Sequence, residues 1–303
     1  MLLEAGVSGA ELAAEANRIG AKVEAVFSQY LTGSGDGRDR LFEAMRHAGL
    51  GGGKRIRPLL TVATGRLFGL AEDRTIRAGA AIEAIHVYSL IHDDLPCMDD
   101  DDLRRGKPTV HRAFDESTAV LAGDCFHDLA FEIMSDPATH EDPFVRSELV
   151  LEMARASGPQ GMAGGQMLDL VSEGEALDIG SVTRMQQLKT GALIEFAVEA
   201  ACIMGRIQPE ARTPYRGYAR DIGLAFQIAD DLLDHAGDEA IAGKRLRKDA
   251  SAGKATFVSL LGEDRARHQC AILVDQAVEH LHDHGDEADL LRAVARYVEE
   301  RDR

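Results

Sequence analysis

The feature of this sequence that most restricts its fold is an acidic stretch, DDLPCMDDDDLRR, at residues 93–105. It directly follows an apolar run at residues 85–91, which is typical of a buried helix. A helix C-terminus carries partial negative charge, so aspartates there require a compensating cation. The sequence therefore predicts a buried helix whose acidic end serves a purpose other than stability.

The residues after this helix place several carboxylates together. Pro96 breaks the helix, because proline lacks a backbone donor and disfavours helical geometry in the residue before it. Asp93 and Asp94 then lie at the helix end, and we expect Asp99 to return towards them across a short loop. Hard divalent cations prefer such oxygen ligands. The alternative is a solvated acidic loop, which is the commoner location of aspartate runs.

A second acidic cluster repeats this arrangement in QIADDLLDHAGD at residues 227–238. Asp230, Asp231 and Asp234 end an apolar helix, and Gly237 is suited to terminating it. Asp230 and Asp234 are four residues apart and therefore share a helix face. If the two helix ends face each other, their carboxylates form a two-sided metal cage inside a helical bundle.

Basic residues that suit phosphate groups lie near the first cluster in the chain. Gly53, Lys54, Arg55 and Arg57 form a basic cluster that predicts an anion pocket, together with free backbone N–H groups of residues 51–53 and a helix that starts at Pro58. The alternative is a flexible loop with solvated charges.

Two further sets of side chains point to the same ligand. Arg104 and Arg105 are neighbours, so they point in different directions and are able to contact different phosphate groups. His86 lies two helical turns before Asp93, on the same face. An ordinary core position is the alternative for a single helical histidine.

A later apolar helix is interrupted by Lys189, Thr190 and Gly191. Glycine inside a helix costs about 1 kcal/mol, so we expect a kink that frees backbone carbonyls, although simple tolerance of one glycine explains it equally well. Gln227 lies one turn before Asp231 and directs a neutral dipole towards the same space.

A glycine-flanked basic segment, GKRLRKDASAGK, follows at residues 243–254. Its residues Lys244, Lys248 and Lys254 suit a lid that closes over a phosphate group, and a plain surface loop is the default alternative.

Charge and composition exclude several classes of partner. The net charge of -17 argues against nucleic acid or an anionic bilayer, since both require a basic surface. The four cysteines contain no C-x-x-C pair and indicate reduced thiols in a cytoplasmic protein. No apolar run approaches the length of a membrane span, and the first residues lack the pattern of a signal peptide.

The fold class follows from the same composition. Aromatic residues make up only 5% of the chain, whereas Ala, Leu, Glu and Arg recur, which favours helix over sheet. We expect no strand, no long linker and one all-α domain over residues 1–303. The periodicity predicts helices at about 11–31, 40–48, 58–68, 75–94, 117–135, 143–157, 181–205, 208–235, 263–283 and 286–300.

Taken together, these motifs resemble the trans-isoprenyl diphosphate synthase family, and most closely its bacterial farnesyl diphosphate synthase type. The resemblance covers roughly residues 20–300. It rests on GGKRIRP at 52–58, DDLPCMDDDDLRRGKPT at 93–109, GD at 123–124, GGQ at 164–166, KTG at 189–191 and DDLLD at 230–234.

The resemblance implies an isoprenoid synthase-type helical bundle around a deep central cavity, a homodimer, and three Mg²⁺ ions in each active site. The implied metal ligands are Asp93, Asp94, Asp99, Asp230, Asp231 and Asp234. The implied contacts with the allylic diphosphate or its developing cation are Arg104, Lys189, Thr190, Gln227 and Lys244, with Lys254 as a further substrate-binding residue. The implied site for isopentenyl diphosphate contains Gly53, Lys54, Arg57, His86 and Arg105.

In the implied reaction, an allylic diphosphate loses pyrophosphate, and isopentenyl diphosphate captures the resulting cation to give farnesyl diphosphate. Tyr88 and Ser89 would form the cavity floor that stops growth at fifteen carbons. Phe126 and His127 stand where the family commonly has two leucines, and Val258 replaces a common proline. The product length is therefore open, and geranylgeranyl or geranyl diphosphate synthase is the alternative.

Two rival functions differ in kind. A class I terpene cyclase shares the first acidic motif, but it normally has a different second motif and does not need a site at residues 54–57. A catalytically silent partner subunit would not be expected to keep both acidic clusters and the lysines.

Overall fold

The computed structural model describes residues 6–172, 174–236 and 255–300, and its architecture is nearly all helical, as predicted. The longer helices are α1 (Gly9–Tyr30), α2 (Asp39–Gly49), α3 (Ile56–Leu67), α4 (Glu72–Asp93), α6 (Glu116–Ser135), α7 (Pro143–Ser157), α8 (Met162–Val171), α9 (Ile179–Gln186), α10 (Ala192–Met204), α11 (Thr213–Ala236), α13 (Glu263–Glu279) and α14 (Asp289–Glu300). The shorter elements are β1 (Leu103–Arg104), β2 (Lys107–Pro108), α5 (Val110–Ala113), α12 (Phe257–Leu261), a π-helical segment (Gln187–Gly191) and 3₁₀ turns at Pro209–Arg212 and Asp286–Ala288.

Local capping explains where several helices begin. In α1 the Ser8 hydroxyl accepts from the backbone N–H of Glu11, and the Glu11 carboxylate accepts in return from Ser8, which forms a capping box. In α7 Asp142 caps the helix and Pro143 occupies its first position. The predicted and observed bounds of α7 agree for this reason.

Helix α4 is central to the bundle and packs against α1, α3 and α6. Small residues at 78–81 allow close approach, and a Cβ atom at Gly79 would lie 2.8 Å from Cα of Pro58 in α3. This contact places the segment before α3 beside the middle of α4. One buried apolar cluster extends through the helices from Leu12 to Val298.

Several predictions about the elements were wrong. The chain contains a short antiparallel hairpin, β1 to β2, whose turn at Arg105 and Gly106 has positive φ angles of 53° and 74°. Two-residue strands are too short to show alternation, so the sequence pattern could not reveal them. The predicted helix at 181–205 is divided by the π-helical segment, and α5, α8 and α12 were missed.

None of the helices in the described ranges combines the length and apolarity needed to cross a membrane. The predicted helix terminator, Gly237, lies outside the described residues. So do the predicted lid residues Lys244, Lys248 and Lys254.

Candidate active site

The loop after α4 folds back as predicted. Its backbone N–H groups at Asp99 and Asp101 donate to the carbonyls of Asp93 and Asp94, at 2.8 and 3.2 Å. Burial raises the pKa of Asp93 to about 6, while nearby Lys189 opposes the rise and the like charge of Asp99 adds to it. The first acidic cluster is therefore a confined set of carboxylates that a cation would stabilise.

Asp94, one of the predicted metal ligands, is paired with an arginine. Its buried carboxylate forms an ion pair with Arg104 of β1, in which Nε and Nη2 lie 3.1 and 2.5 Å from Oδ1. A predicted metal ligand and a predicted diphosphate ligand are thus paired with each other. The hairpin that carries Arg104 is fixed beneath the acidic loop by this pair and by the Thr109 hydroxyl, which donates to the carbonyl of Asp101.

The predicted anion pocket at the glycine loop is not built as expected. The backbone N–H groups of Gly51 and Gly52 donate to Oε1 of Glu24, at 2.9 and 3.3 Å, so the expectation that they are free is wrong. Gly53 instead makes room for Arg105, because a Cβ atom there would lie 2.6 Å from the guanidinium carbon. Arg105 in turn donates to the carbonyl of Gly52 at 2.8 Å.

Several arginine side chains lie around His86 of α4. Burial and the positive charges of Arg57, Arg105 and Arg104 hold the pKa of His86 well below its usual range. Burial also lowers the pKa of Arg57, while Glu83 and Asp230 act in the opposite direction. This is a concentration of positive charge in a chain whose net charge is -17, so it is suited to an anion.

These electrostatic contacts connect the two acidic clusters. Arg57 lies close enough to Asp230 for that carboxylate to affect its pKa. Arg104 affects both the pKa of His86 and the pKa of Asp93. The ends of α4 and α11 therefore both lie within electrostatic range of the same arginines.

The π-helical segment contains Lys189, Thr190 and Gly191, which is the interruption that the sequence predicted. Nζ of Lys189 lies 2.5 Å from Oδ2 of Asp169 in α8. Sequence reasoning missed Asp169, although it lies one turn after Gly165 in the GGQ-containing helix and shares its face.

Two other contacts fix the position of the segment. Gly165 of α8 packs directly on its backbone, because a Cβ atom there would lie 2.1 Å from the Lys189 nitrogen. The amide nitrogen of Gln227 donates to Gln186, the residue before the segment, at 2.7 Å. Lys189 and Gln227 are thus brought to one region, as predicted.

The second acidic cluster contacts other parts of the bundle. Oδ2 of Asp231 accepts from the backbone N–H of Phe257 at 2.8 Å, so this predicted metal ligand holds the start of α12. Asp230 affects Arg57, and Asp234 is half-buried near the end of α11.

These oxygen donors suit Mg²⁺, which keeps several waters and shares its coordination with phosphate oxygens. Within the described ranges, no group of three acidic, histidine or cysteine side chains is gathered closely enough to hold a metal ion, and the two-sided metal cage stays a prediction.

The predicted floor residues, Tyr88 and Ser89, lie in the C-terminal half of α4. The ring of Tyr88 contacts His92 and His127 edge to face, with centroids 5.8 and 5.2 Å apart. His127 continues the stack to Phe131 at 5.0 Å. Ser89 donates only to a carbonyl of its own helix. Of the two departures from the family pattern on α6, His127 therefore contacts the predicted floor residue Tyr88.

The other departures lie in the core. Phe126 packs edge to face on Phe27 at 5.6 Å and against Gly49, where an added Cβ atom would come within 2.6 Å of its ring. Val258 is buried in α12. Phe126 is thus accommodated by core packing, and Val258 is buried in the short helix whose first residue, Phe257, donates to Asp231.

Residues 38–297 match the Polyprenyl synthetase family. The chain belongs to this family. It is 44% identical over 266 residues to the farnesyl diphosphate synthase of Escherichia coli, covering 86% of this chain and 89% of that protein. It is also 44% identical over 263 residues to geranylgeranyl pyrophosphate synthase 11 of Arabidopsis thaliana, covering 84% of this chain and 73% of that protein.

Solved structures agree with this assignment. An apo FPP/GFPP synthase from Zymomonas mobilis superposes with a TM-score of 0.89 at 52% identity, covering 96% of this chain and 100% of that chain. A geranyltransferase from Helicobacter pylori, complexed with magnesium and isoprenyl diphosphate, gives 0.82 at 29% identity, covering 98% and 97%. The chain is accordingly a short-chain prenyltransferase, and its relatives differ in product length.

The contact between Gly165 and the π-helical segment gives a first prediction. Gly165→Ala forces α8 away from the Lys189 backbone, so we expect it to lower the free energy of unfolding by about 1–3 kcal/mol and to reduce activity. Urea unfolding and steady-state turnover measure both effects. Gly9→Ala is the control, because an added Cβ atom there meets nothing within 4 Å. Equal stability of the two variants would contradict the close contact.

The raised pKa of Asp93 gives a second prediction, for the protein kept in a chelator. Because the native state holds this proton more tightly than the unfolded state, the ionised carboxylate destabilises the fold by an amount that grows from about pH 4 and levels off above about pH 6. Asp93→Asn should therefore stabilise the protein at pH 8 by roughly 1–3 kcal/mol, and by about half as much at pH 5.

Urea unfolding at both pH values measures this difference. Asp100→Asn is the control, since that carboxylate is exposed in the same loop. A gain for Asp93→Asn that is the same at pH 5 and pH 8 would show that burial of the charge is not its cause.

Proposed function

We propose that this chain condenses isopentenyl diphosphate with dimethylallyl or geranyl diphosphate to give farnesyl diphosphate. The observation that supports the proposal is the presence of two adjoining groups of charged side chains with different chemistry. One contains carboxylates and cations together, around Asp93 and Arg104. The other contains cations around the neutral His86. A diphosphate that must leave suits the first site, and a diphosphate that is retained suits the second.

The first site would bind the allylic substrate. Asp93, Asp99 and Asp230 are proposed as the principal ligands of three Mg²⁺ ions, with Asp94 and Asp234 as further ligands. When bound, magnesium neutralises the charge that develops on the departing diphosphate. The chain's own cations, Arg104 and Lys189, add to this stabilisation, and Lys244 and Lys254 are proposed for the same diphosphate from outside the described residues.

The developing allylic cation needs partial negative charge without a nucleophile. Thr190 lies in the π-helical segment, where the helix is interrupted. Gln227 uses its amide nitrogen to donate to Gln186, so its carbonyl oxygen remains for another partner. We propose that this oxygen and the Thr190 region stabilise the cation by their dipoles.

The second site would bind isopentenyl diphosphate. Lys54, Arg57 and Arg105 supply positive charge, and Gly53 allows Arg105 to approach. His86 stays neutral beside these cations because its pKa is held low, so it is able to donate one hydrogen bond to a phosphate oxygen without adding charge.

The assembly is proposed from exposed apolar side chains on neighbouring helices α6, α7 and α8. They include Leu121, Phe144, Leu151, Met167 and Val171. Exposed apolar surface of this kind favours association, so we propose a cytoplasmic homodimer of single-domain subunits with these helices at the interface.

The test is incubation with Mg²⁺, dimethylallyl diphosphate and labelled isopentenyl diphosphate, with and without a chelator. We expect label in a fifteen-carbon diphosphate, and loss of turnover by more than 100-fold with the chelator. Hydrocarbon products without consumption of isopentenyl diphosphate would instead indicate a terpene cyclase, and no turnover would indicate a silent subunit. Label mainly in a twenty-carbon diphosphate would favour the geranylgeranyl alternative, which the Arabidopsis relative supports.

The aromatic stack at the floor predicts how product length changes. Tyr88→Ala removes the ring that faces His127, so the chain should grow past fifteen carbons, and chromatography of dephosphorylated products measures this. Tyr88→Phe keeps the ring and should leave the products unchanged. An unaltered product distribution from Tyr88→Ala would reject Tyr88 as the floor.

A further inference from the structure

Arg55 adopts an unusual backbone conformation at the start of α3. Its φ and ψ angles are 47° and 39°, in the left-handed region that residues other than glycine rarely occupy. The three preceding glycines, at 51–53, also have positive φ angles. Non-glycine residues persist in this region only where their surroundings fix them, and such places are frequent beside functional sites. The loop before α3 is therefore held in a defined shape.

The Arg55 side chain accounts for part of this restraint. It is only 3% exposed, and its Nη1 lies 2.8 Å from Oε1 of Glu83 on α4. Its Nη2 donates to the carbonyl of Gly49 at 2.7 Å and lies 3.5 Å from Glu24. Although Arg55 stands between Lys54 and Arg57 in the sequence, its guanidinium is engaged with protein groups.

Two carboxylates on different helices complete the restraint. Glu83 is 1% exposed, so its charge is buried beneath the loop. Glu24 on α1 accepts from the backbone N–H groups of Gly51 and Gly52. Together the two carboxylates fix the loop at Gly51, Gly52 and Arg55, and therefore on both sides of Lys54.

We propose that Glu83 and Glu24 are positioning residues for the isopentenyl diphosphate site. Through Arg55 and the glycine backbone, they hold the loop so that Lys54 and Arg57 face one diphosphate, and neither carboxylate touches substrate. The inference rests on the proposed function, because it takes Lys54 and Arg57 as the groups that bind isopentenyl diphosphate.

A purely electrostatic role and a positioning role for Glu83 predict opposite effects on substrate binding, so an experiment is able to separate them. Glu83 lies near Arg57 and Arg105 and affects the pKa of each. If its charge only repelled an incoming diphosphate, removing that charge would improve binding. If it positions the loop, removing the charge weakens binding despite the more favourable local potential.

The experiment measures KM for isopentenyl diphosphate, KM for geranyl diphosphate and kcat in Glu83→Gln and Glu24→Gln. Both variants keep the size of the side chain and remove its charge. We expect KM for isopentenyl diphosphate to rise at least fivefold in Glu83→Gln and about threefold in Glu24→Gln. KM for geranyl diphosphate and kcat should stay within twofold, a split that general destabilisation would not produce.

Matched variants anchor the comparison. Glu15→Gln makes the same charge change on α1 at a carboxylate that pairs with Arg18 and Arg66 instead, so both KM values should be unchanged. Lys54→Ala and Arg57→Ala should each raise KM for isopentenyl diphosphate by more than tenfold.

The outcomes separate this inference from the proposed function. If Lys54→Ala and Arg57→Ala leave KM for isopentenyl diphosphate unchanged, the site assignment is wrong and the inference falls with it. If the two alanine variants raise KM for isopentenyl diphosphate but neither glutamine variant does, only the inference is overturned. A fall in KM for isopentenyl diphosphate in the glutamine variants overturns it too, as does an equal rise in KM for isopentenyl diphosphate and KM for geranyl diphosphate. Should Glu83→Gln fail to fold, Glu24→Gln decides, since its carboxylate is partly exposed.

Discussion

The structure depends on one constraint, which is that α4 holds negative charges together at its C-terminal end and positive charges together around His86. Asp93 and Asp94 are held together at the helix end, and guanidinium groups are held together around His86, two turns earlier. Arg104 joins the two groups directly, through ion pairs with Asp94 and Asp101 of the acidic loop. The other guanidinium groups lie next to one another around His86, where positive charge remains concentrated.

Helix α4 sets the order of the site because its residues face inward at helical spacing. Glu83 lies beneath the loop before α3, His86 beside the arginines, Tyr88 against His127 and Asp93 at the acidic end. Ten residues of helix span about 15 Å, so the residues to which we assign anchoring, binding, length control and ionisation lie along one rigid element. The small residues at 78–81 make this possible by letting α3 pack closely on α4.

Sequence reasoning identified the parts of this arrangement that are encoded locally. The return of Asp99 towards Asp93 and the interruption at Lys189 follow from proline and glycine at known positions. It missed Asp169, Glu24 and Glu83, because the choice of an ion-pair partner depends on helices that are distant in the chain. It also assigned free N–H groups to Gly51 and Gly52, since no local pattern shows that a carboxylate on α1 accepts from them.

Two of the cations proposed for the allylic diphosphate, Arg104 and Lys189, already have carboxylate partners. Arg104 pairs with Asp94 and Lys189 with Asp169, and both carboxylates are buried. An anion that took these cations for itself would leave two buried carboxylates without a partner, which costs several kcal/mol for each. Binding is therefore an exchange of partners, and an anion alone gains little from it. A divalent cation that enters with the diphosphate restores the missing positive charge, which gives a physical reason for metal dependence in a site that already contains arginine and lysine.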